Sequence, residues 1–425
     1  MWGVKFILQF ETRMTRRFST LPKQFLDYVV PSYGRYTHIE LSHGIGNRVW
    51  DTSNKSYLDF GGGIAVNSLG HAHPKVLQAL QEQAGKLMHC SNLYLTTQQG
   101  ELAQRLVSYF NNQGKIFFCN SGAEANEGLF KLAKKYGISQ NPNRSDIITA
   151  DNSFHGRTLA AIAATGQDKI KAGFGTSVSG FKHVPFNDLN SISQAVDENT
   201  AAILIEGIQG EGGVTPATGE YLLGLRQLCD DKDLLLMMDG VQCGHFRTGS
   251  FQSYQSILGK ESKFAPDAVS MAKSIGAGFP MGAFWANDKV ADVLSAGYHG
   301  TTYGGNPLAC AVAQAVLDVV ESEQLEQNVV INGKYLYDGL KKIQAQHPDV
   351  IQDVRGLGFM VGIVLHPDAG SATPAGDLVE TLHTLGMLTV PAGLNVCRLL
   401  PALNTSREDI DECLDILERG IQETF

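Results

Sequence analysis

The sequence lacks any cysteine arrangement typical of a disulfide framework or a zinc site. Its 425 residues contain 7 cysteines, an odd number, and no two of them form a Cys-x-x-Cys pair. It also lacks a run of about 18 apolar residues, which a membrane-spanning helix needs. These absences favour a protein of a reducing compartment and predict neither a membrane span nor a metal site.

An excess of positive charge is also absent. There are 34 Lys and Arg against 43 Asp and Glu, a net charge of -9, so binding to nucleic acid or anionic lipid is not expected. The hydrophobic fraction, 43%, is too high for a disordered chain, and the length favours two packed domains. Glycine is abundant, with 46 residues, which predicts many tight turns and close backbone approaches to a ligand.

Residues 1–24 differ from the rest of the chain. They contain one acidic residue, Glu11, against five basic residues, with serine and threonine between them. A basic, acid-poor, hydroxyl-bearing leader is typical of a mitochondrial transit peptide. The sequence therefore predicts a disordered transit peptide over 1–24 and a location in the mitochondrial matrix. A disordered basic tail, or translation that begins at Met14, is the alternative.

From about residue 100, short apolar runs alternate with helical stretches. Strands are predicted at Ile116–Cys119, Asp146–Ala150, Ala201–Glu206, Leu234–Asp239, Ala268–Ala272 and Gly282–Ala286. Helices are predicted between them, including Ala123–Tyr136, Gly219–Asp230 and Asp288–Ala296. This alternation predicts an α/β fold with a mostly parallel sheet covered on both faces. Ligands of such sheets bind at the carboxyl ends of the strands.

After Pro307 the pattern changes to long helices followed by strands. The expected elements are helices over 308–321 and 326–346, strands near 350–355 and 359–365, and an amphipathic helix from Arg407. These elements predict a smaller α+β domain. We expect an N-terminal segment, 25–74, that packs with this small domain. A large domain follows over 75–306, and a connecting helix with the small domain over 307–425.

A candidate phosphate-binding segment lies at Asn120–Asn126, after a strand and at the start of a helix. Small residues at Ser121, Gly122 and Ala123 let backbone amides approach an anion, and the helix N-terminus adds a favourable dipole. A serine before glycine is also an ordinary N-cap, so this segment alone leaves both interpretations open.

Two further polar residues stand at predicted strand ends. Asp239 ends a very apolar run, and a buried carboxylate is costly unless it is paired. Lys273 precedes a glycine-rich turn, and a partly desolvated lysine has a lowered pKa and can form Schiff bases. A loop cap and a solvated lysine are the ordinary alternatives. The order of phosphate segment, aspartate and lysine matches a ligand with an aldehyde, a phosphate and a protonatable ring nitrogen, such as pyridoxal 5′-phosphate.

Six segments, three of which contain these residues, resemble the class-III aminotransferases of fold type I. They are NSGAEANEG (120–128), SFHGRT (153–158), QGEGG (209–213), MMDGVQCGHFRTG (237–249), AKSIGAGFPMGA (272–283) and HGTTYGGNPLACA (299–311). The resemblance extends over about 25–425, and GGGIAVNSLGHAHP (61–74) and CSNLYLTTQQGELAQRL (90–106) are most similar to the acetylornithine aminotransferase subfamily. It implies a seven-stranded, mostly parallel sheet covered by helices, a smaller α+β domain, pyridoxal 5′-phosphate, and a homodimer with shared active sites.

The resemblance also implies residue roles. Lys273 and Asp239 are the expected catalytic residues. The expected cofactor-binding residues are Ser121, Gly122 and Ala123 at the phosphate, Phe154 and Val241 on the ring faces, Gln242 near the ring hydroxyl, Asp239, Lys273, and Thr302 toward the neighbouring subunit's cofactor. Arg157 and Arg398 match the carboxylate-binding positions, and Glu211 matches the residue that pairs with Arg398. A structural salt bridge for Glu211 and Arg398, core packing for Phe154 and Val241, and a strand cap for Thr302 are the alternatives.

The sequence departs from the family pattern in three places. The usual Asp-Glu-Val-Gln is Asp239-Gly-Val-Gln, the usual Glu-Pro is Glu206-Gly207, and the usual Pro-Pro is Pro401-Ala402. The implied reaction is amino transfer from N2-acetylornithine to 2-oxoglutarate, in arginine biosynthesis. Alternatives are an ornithine or 4-aminobutyrate aminotransferase, a racemase, decarboxylase or mutase with the same cofactor, and an inactive cofactor-binding scaffold.

Overall fold

The computed structural model describes residues 23–175 and 178–425. The predicted transit peptide therefore lies outside the described residues, apart from Lys23 and Gln24. Among the described helices, none combines the length and apolar character that crossing a membrane requires.

The N-terminal segment forms a short helix and a three-stranded antiparallel unit. The helix is α1 Lys23–Tyr28, and the strands are β1 Leu41–Ile45, β2 Arg48–Asp51 and β3 Ser56–Asp59. The chain then makes a turn at Gly62–Ala65, called here the left-handed turn, because all four residues have positive φ.

The next part of the chain alternates helices and strands. The helices are α2 Pro74–Ala84, α3 Thr97–Ser108, α4 Gly122–Gln140, α5 Leu159–Ala164, α6 Asp168–Lys171, α7 Leu189–Ala195, α8 Gly219–Lys232 and α9 Ser253–Leu258. The strands are β4 Lys115–Cys119, β5 Asp146–Ala150, β6 Phe181–Val184, β7 Thr200–Glu206, β8 Ile208–Gln209, β9 Thr215–Pro216, β10 Leu235–Asp239, β11 Ala268–Met271 and β12 Gly282–Ala286.

Seven of these strands form the central sheet, in the order β4-β12-β11-β10-β7-β5-β6. Only β12 is antiparallel to its neighbours, β11 and β4; the other pairs are parallel. Strands β7, β10, β11 and β12 are buried along their whole length, as expected for strands covered on both faces. The predicted α/β class with a mostly parallel seven-stranded sheet is confirmed.

The C-terminal part contains α10 Pro307–Ser322, α11 Leu325–Gln346, β13 Ile351–Leu357, β14 Met360–Leu365, α12 Pro374–Leu385, β15 Met387–Leu388, β16 Val390–Pro391, β17 Val396–Leu399 and α13 Arg407–Thr424. A four-stranded sheet has the order β13-β14-β17-β16. Strand β15 pairs in parallel with β3, so the N-terminal unit and the C-terminal part share a second four-stranded sheet. The expected limits of the domains stay a prediction.

Two local predictions needed correction. Residues 288–296 were expected to form a helix but form successive turns, in which Val290 N–H donates to the Asn287 carbonyl and Val293 N–H to the Val290 carbonyl. So short a segment gains few helical hydrogen bonds against the cost of nucleation. Strand β6 was missed because its sequence, FKHV, has only two strongly apolar residues among four and no clear apolar run.

Two buried histidines make the stability of the fold depend on pH. Nε2 of His245 has no hydrogen-bond partner among the described residues, and the same holds for Nδ1 of His383. Burial lowers the pKa of His245 to about 3 and that of His383 to about 4. Both stay neutral in the folded protein while the unfolded chain takes up protons below about pH 6.5. Each therefore lowers the free energy of unfolding as pH falls from 6.5 toward its folded pKa.

We expect His245→Asn to reduce this pH dependence, by about 1.4 kcal/mol per pH unit between pH 6 and 4. Asparagine tolerates the left-handed backbone of residue 245, where φ is 53°. Urea unfolding at several pH values measures the slope. His43→Asn, at an exposed position on β1, is the control and should leave the slope unchanged. Equal slopes for wild type and His245→Asn would contradict the argument.

Candidate active site

The predicted phosphate-binding segment begins helix α4 at the carboxyl end of β4. Ser121 is the N-cap, and its hydroxyl accepts the Glu124 N–H at 3.2 Å. A Cβ atom on Gly122 would lie 2.7 Å from Cγ1 of Val241, so only glycine allows this close approach. Free N–H groups in the first turn of a helix bind anions well. The structure thus brings Gly122 against Val241, in the loop that follows Asp239.

Asp239 ends β10 and is buried. Its Oδ2 atom lies 2.9 Å from Nδ1 of His155 and accepts Nδ2 of Asn126 at 2.8 Å, while Oδ1 accepts the Val241 N–H at 3.0 Å. Burial opposes ionisation, but these hydrogen bonds and the imidazole outweigh it, so the pKa of Asp239 lies below its ordinary value. Asp239 is therefore an anion that hydrogen bonds stabilise at the carboxyl edge of the sheet.

A second buried carboxylate, Glu206, lies beside Asp239 on the neighbouring strand β7, in register with it. It accepts the N–H groups of Phe154 and Gly210, each at 3.2 Å. Burial, the largest cause, and the negative charge of Asp239 raise its pKa to about 7, although His155 opposes this. Near neutral pH, Asp239 carries the charge and Glu206 holds a proton for much of the time.

Lys273 follows β11, two strands from Glu206 in the same sheet. Its backbone is left-handed, with φ of 50°, and its side chain is half-buried. Desolvation lowers the pKa of its amine to about 8, against the opposing charge of Glu211. A substantial neutral fraction near pH 7.5 makes this amine a nucleophile.

Glu211, Gln242 and Arg398 form one polar cluster. Arg398, with 1% of its side chain exposed, lies on β17 and donates Nη1 to Oε1 of Glu211 at 2.8 Å and to Oε1 of Gln242 at 2.7 Å. Glu211 has 28% of its side chain exposed, and the charge of Arg398 holds its pKa below the ordinary value despite burial. The cluster is therefore a buried cation covered by an anion that can reach solvent.

Arg157 and Phe154 lie on the loop after β5. The Arg157 guanidinium carbon is 5.5 Å from the centroid of the Phe154 ring. Arg157 is exposed, forms no ion pair with any described residue, and Phe154 is half-buried. The guanidinium is thus accessible to a carboxylate.

Thr302 is exposed and lines a small surface depression together with His89, Cys90, Asn92 and Gly304. The preceding residue, Thr301, accepts Nδ2 of Asn120 at 3.2 Å. This loop therefore passes beside the phosphate segment. No contact described in this chain joins Thr302 to Lys273 or Asp239.

Three residues at the site were missed from the sequence: Asn126, His155 and Glu206. Asn126 lies on α4 five residues after Ser121, and its amide also donates to the His155 carbonyl at 2.8 Å. His155 stands inside the same SFHGRT segment that indicated Phe154 and Arg157. Glu206 ends the strand next to the one that ends in Asp239, and its place at the end of an apolar run, like that of Asp239, was the available signal.

Two of the departures from the family pattern are filled by neighbouring residues. The Cβ position of Gly240 is taken by the carboxamide oxygen of Gln252, and that of Gly207 by the hydroxyl of Ser253. Gln252 caps α9 and Ser253 is its first residue. A glutamate at 240 or a proline at 207 would displace the start of α9. The glycines at 207 and 240 therefore leave the space that Gln252 and Ser253 occupy.

The residues fit pyridoxal 5′-phosphate. The first turn of α4 suits the phosphate, because its backbone N–H groups and the helix dipole favour an anion. The buried anion Asp239 suits a protonated ring nitrogen, and the Lys273 amine with its lowered pKa suits an aldehyde. All three stand at carboxyl ends of strands of one sheet, where ligands of α/β folds bind.

Comparison with known proteins agrees with this fit. The family model for class-III aminotransferases matches residues 30–421. The acetylornithine aminotransferase of Caldanaerobacter subterraneus is 45% identical over 93% of this chain and 98% of its own. The mitochondrial acetylornithine aminotransferase of Debaryomyces hansenii is 40% identical over 95% of this chain and 86% of its own.

A solved structure of the ornithine aminotransferase from Toxoplasma gondii, with partially occupied pyridoxal phosphate at its active site, superposes with a TM-score of 0.88. It is 31% identical and the match covers 94% of this chain and 93% of that chain. The seven-stranded sheet and its helices are those of fold type I. The chain belongs to the class-III aminotransferases, pyridoxal-phosphate-dependent transaminases.

Proposed function

We propose that this protein transfers an amino group reversibly from N2-acetylornithine to 2-oxoglutarate, which gives N-acetylglutamate 5-semialdehyde and glutamate. The observation that carries this is the pair of unlike arginines at the site. Arg157 is exposed and forms no ion pair with any described residue, whereas Arg398 is buried and covered by Glu211. Such a pair suits one substrate with a single carboxylate and another substrate with two. The two relatives described above are named acetylornithine aminotransferases.

Lys273 and Asp239 carry the chemistry. The bound cofactor supplies an aldehyde for the amino group and a ring that takes up electrons. Nζ of Lys273, with its pKa near 8, takes the proton from the carbon that bears the reacting amine and returns it in the reverse direction. Asp239 remains an anion because His155 and Asn126 hold it, and so it would keep a proton on the ring nitrogen.

Arg157 and Arg398 divide the recognition of carboxylates. Both substrates present a carboxylate far from the reacting carbon, and one arginine, Arg157, serves both. The carboxylate next to the reacting carbon of glutamate needs a second arginine, Arg398. When N2-acetylornithine is bound, Arg398 has no such ligand, and a buried unpaired cation is costly. Glu211 neutralises it in that state and moves aside for glutamate.

We expect Glu211→Ala to favour glutamate over N2-acetylornithine as donor by about tenfold in the ratio of specificity constants, because Arg398 loses its competing anion. Steady-state kinetics with both donors measures the ratio. Arg157→Lys is the matched control: it loses the two-pronged contact, worth about 1.5–3 kcal/mol, with both substrates and so keeps the ratio. An unchanged ratio in Glu211→Ala would mean that Glu211 is structural.

A comparison of N2-acetylornithine with ornithine as donors tests the proposed substrate. Ornithine is the second candidate, favoured by the structural likeness to the Toxoplasma gondii ornithine aminotransferase; 4-aminobutyrate is a further donor to include. A higher specificity constant for ornithine would overturn the proposal. Loss of the yellow colour on addition of glutamate, which requires transfer of its amino group to the cofactor, excludes an inactive scaffold.

We also propose a homodimer with shared active sites. Five large apolar side chains are exposed close together in the chain: Leu87, Met88, Leu93, Tyr94 and Leu95. Such a patch marks an interaction surface, and Asn92 ties this segment to the Thr302 loop through the Thr301 and Gly304 carbonyls. The patch and Thr302 would together face a second copy. A monomer in sedimentation equilibrium would contradict this.

We further propose that residues 1–24 direct the protein to the mitochondrial matrix, supported by the composition of the leader and by the mitochondrial relative. Deletion of residues 1–20 should leave transaminase activity in vitro unchanged and remove the protein from mitochondria. Microscopy of fluorescently tagged full-length and truncated chains measures this. A truncated chain that is still confined to mitochondria would rule out a targeting role.

A further inference from the structure

The left-handed turn at Gly62–Ala65 is strained. Its four residues have φ between 52° and 64°, a region that residues other than glycine rarely adopt. Two of them are not glycine, and Ile64 is β-branched, a residue type for which positive φ is an outlier. Such a backbone persists only where its surroundings impose it, and it is concentrated at functional sites.

A buried carboxylate, Asp59, imposes the start of this turn. Its Oδ1 atom accepts the N–H groups of Gly61 at 3.1 Å and Gly62 at 2.8 Å. Its Oδ2 atom lies 2.7 Å from Nε2 of His71. The His71 backbone is fixed in turn, because it exchanges two hydrogen bonds with Gly46. Asp59 thus anchors the left-handed turn to the N-terminal unit.

The left-handed turn contacts both halves of the site. On one side, the hydroxyl of Ser274, the residue after Lys273, donates to the Ala65 carbonyl at 2.9 Å. On the other side, a Cβ atom on Gly62 would lie 2.8 Å from the Leu400 carbonyl oxygen, two residues after Arg398. The turn therefore lies between the segment that carries Lys273 and the strand that carries Arg398.

We propose that Asp59 is a positioning residue, which sets the placement of Arg398 relative to Lys273 through the left-handed turn. The part of this inference that concerns substrates rests on the proposed function. A dicarboxylate must contact Arg157 and Arg398 while its reacting carbon lies at Lys273, whereas a donor with one carboxylate needs Arg157 alone. Loss of Asp59 therefore weakens dicarboxylates more than N2-acetylornithine.

The test compares Asp59→Ala and Asp59→Asn with a matched control, Asp51→Ala. Asp51 is also 8% exposed and accepts two backbone N–H groups, of Ser53 and Lys55, each at 2.9 Å. It does so at the β2–β3 turn, and none of its hydrogen bonds reaches the left-handed turn. The probe is glutarate, a five-carbon dicarboxylate without an amino group, titrated into the holoenzyme by calorimetry.

We expect Asp59→Ala to raise the dissociation constant of glutarate about tenfold, because small misplacements of binding groups are costly. Asp59→Asn should remain near wild type, since its amide oxygen can accept both N–H groups, and Asp51→Ala should change little. The specificity constant for glutamate should fall more than that for N2-acetylornithine. Equal glutarate binding in wild type and Asp59→Ala, or an equal loss in Asp51→Ala, would overturn the inference.

The dissociation constant of pyridoxal phosphate separates failure of the inference from failure of the proposed function. Asp59→Ala should raise the dissociation constant of pyridoxal phosphate and Asp51→Ala should not. The reason is that Ser274, the residue after Lys273, contacts Ala65 of the left-handed turn. Wild type that fails to bind glutarate would overturn the proposed function, and the cofactor constant would then decide the role of Asp59. If Asp59→Ala does not fold, Ser274→Ala takes its place in the test, because it removes the hydrogen bond between the Ser274 hydroxyl and the Ala65 carbonyl.

Discussion

Replacement of Lys273 by alanine should abolish transamination, with a loss of about five orders of magnitude or more in kcat. The amine is the one lysine at the carboxyl edge of the sheet beside Asp239 and Glu206 in the described chain, and its pKa of about 8 suits both covalent attachment and proton transfer. Alanine supplies neither. Steady-state assays and the visible absorption of the cofactor-loaded protein measure the two losses.

A matched control for this variant is Lys134→Ala. Lys134 lies on α4, donates to the Ser145 carbonyl at 3.1 Å, and also has a pKa lowered by burial, but it has no contact with the site residues. It should retain near wild-type turnover. Circular dichroism of both variants should show an intact fold. Turnover of purified Lys273→Ala close to that of Lys134→Ala would refute the assignment.

Replacement of Asp239 by asparagine should lower kcat by about a thousandfold, because it removes a fixed charge from a buried site. The amide keeps the shape of the side chain but carries no negative charge, so it no longer favours a protonated ring nitrogen. It also presents an N–H group toward His155 or Asn126 in place of an acceptor. The rate of a single half-reaction, followed by absorption after mixing with glutamate, isolates this step.

Glu206→Gln is the informative comparison, because it makes the same change on the neighbouring strand. With a pKa of about 7, Glu206 is largely protonated at pH 6.5, and a neutral amide there resembles the native state. We expect a rate loss at pH 6.5 at least tenfold smaller than for Asp239→Asn. Equal losses would mean that packing at the sheet edge, and not the charge of Asp239, controls the rate.

The local pattern of the sequence was sufficient for much of the fold. Continuous apolar runs such as 235–238 predicted buried strands, because a strand covered on both faces has no polar side. The segment at Ser121 predicted a helix start, because cap and dipole effects act within a few residues. The helix predicted over 288–296 was wrong, since a short segment with helical composition gains too few hydrogen bonds to form a helix.

The residues proposed to bind the cofactor and to carry the chemistry were also named from the sequence, because the order of the phosphate segment, Asp239 and Lys273, with the family resemblance around them, indicates one cofactor. The partners of these residues were not. Nothing near Asp239 in the sequence points to His155 or Asn126, which are 84 and 113 residues away. Contacts between such distant residues depend on the order of strands in the sheet, which local patterns do not encode.

The sequence by itself thus determined the class of fold, which follows from the alternation of apolar runs and helical stretches, and the ligand chemistry, which follows from a few residue types in a fixed order. Only the tertiary structure decided the charge of each group. Asp239 and Glu206 are both carboxylates at ends of buried strands, yet the hydrogen bond to His155 helps to keep the pKa of Asp239 below its ordinary value, while burial raises the pKa of Glu206 to about 7. The difference in charge between two such similar residues cannot be read from composition, because burial and hydrogen-bond partners set a pKa, and both exist only in the folded chain.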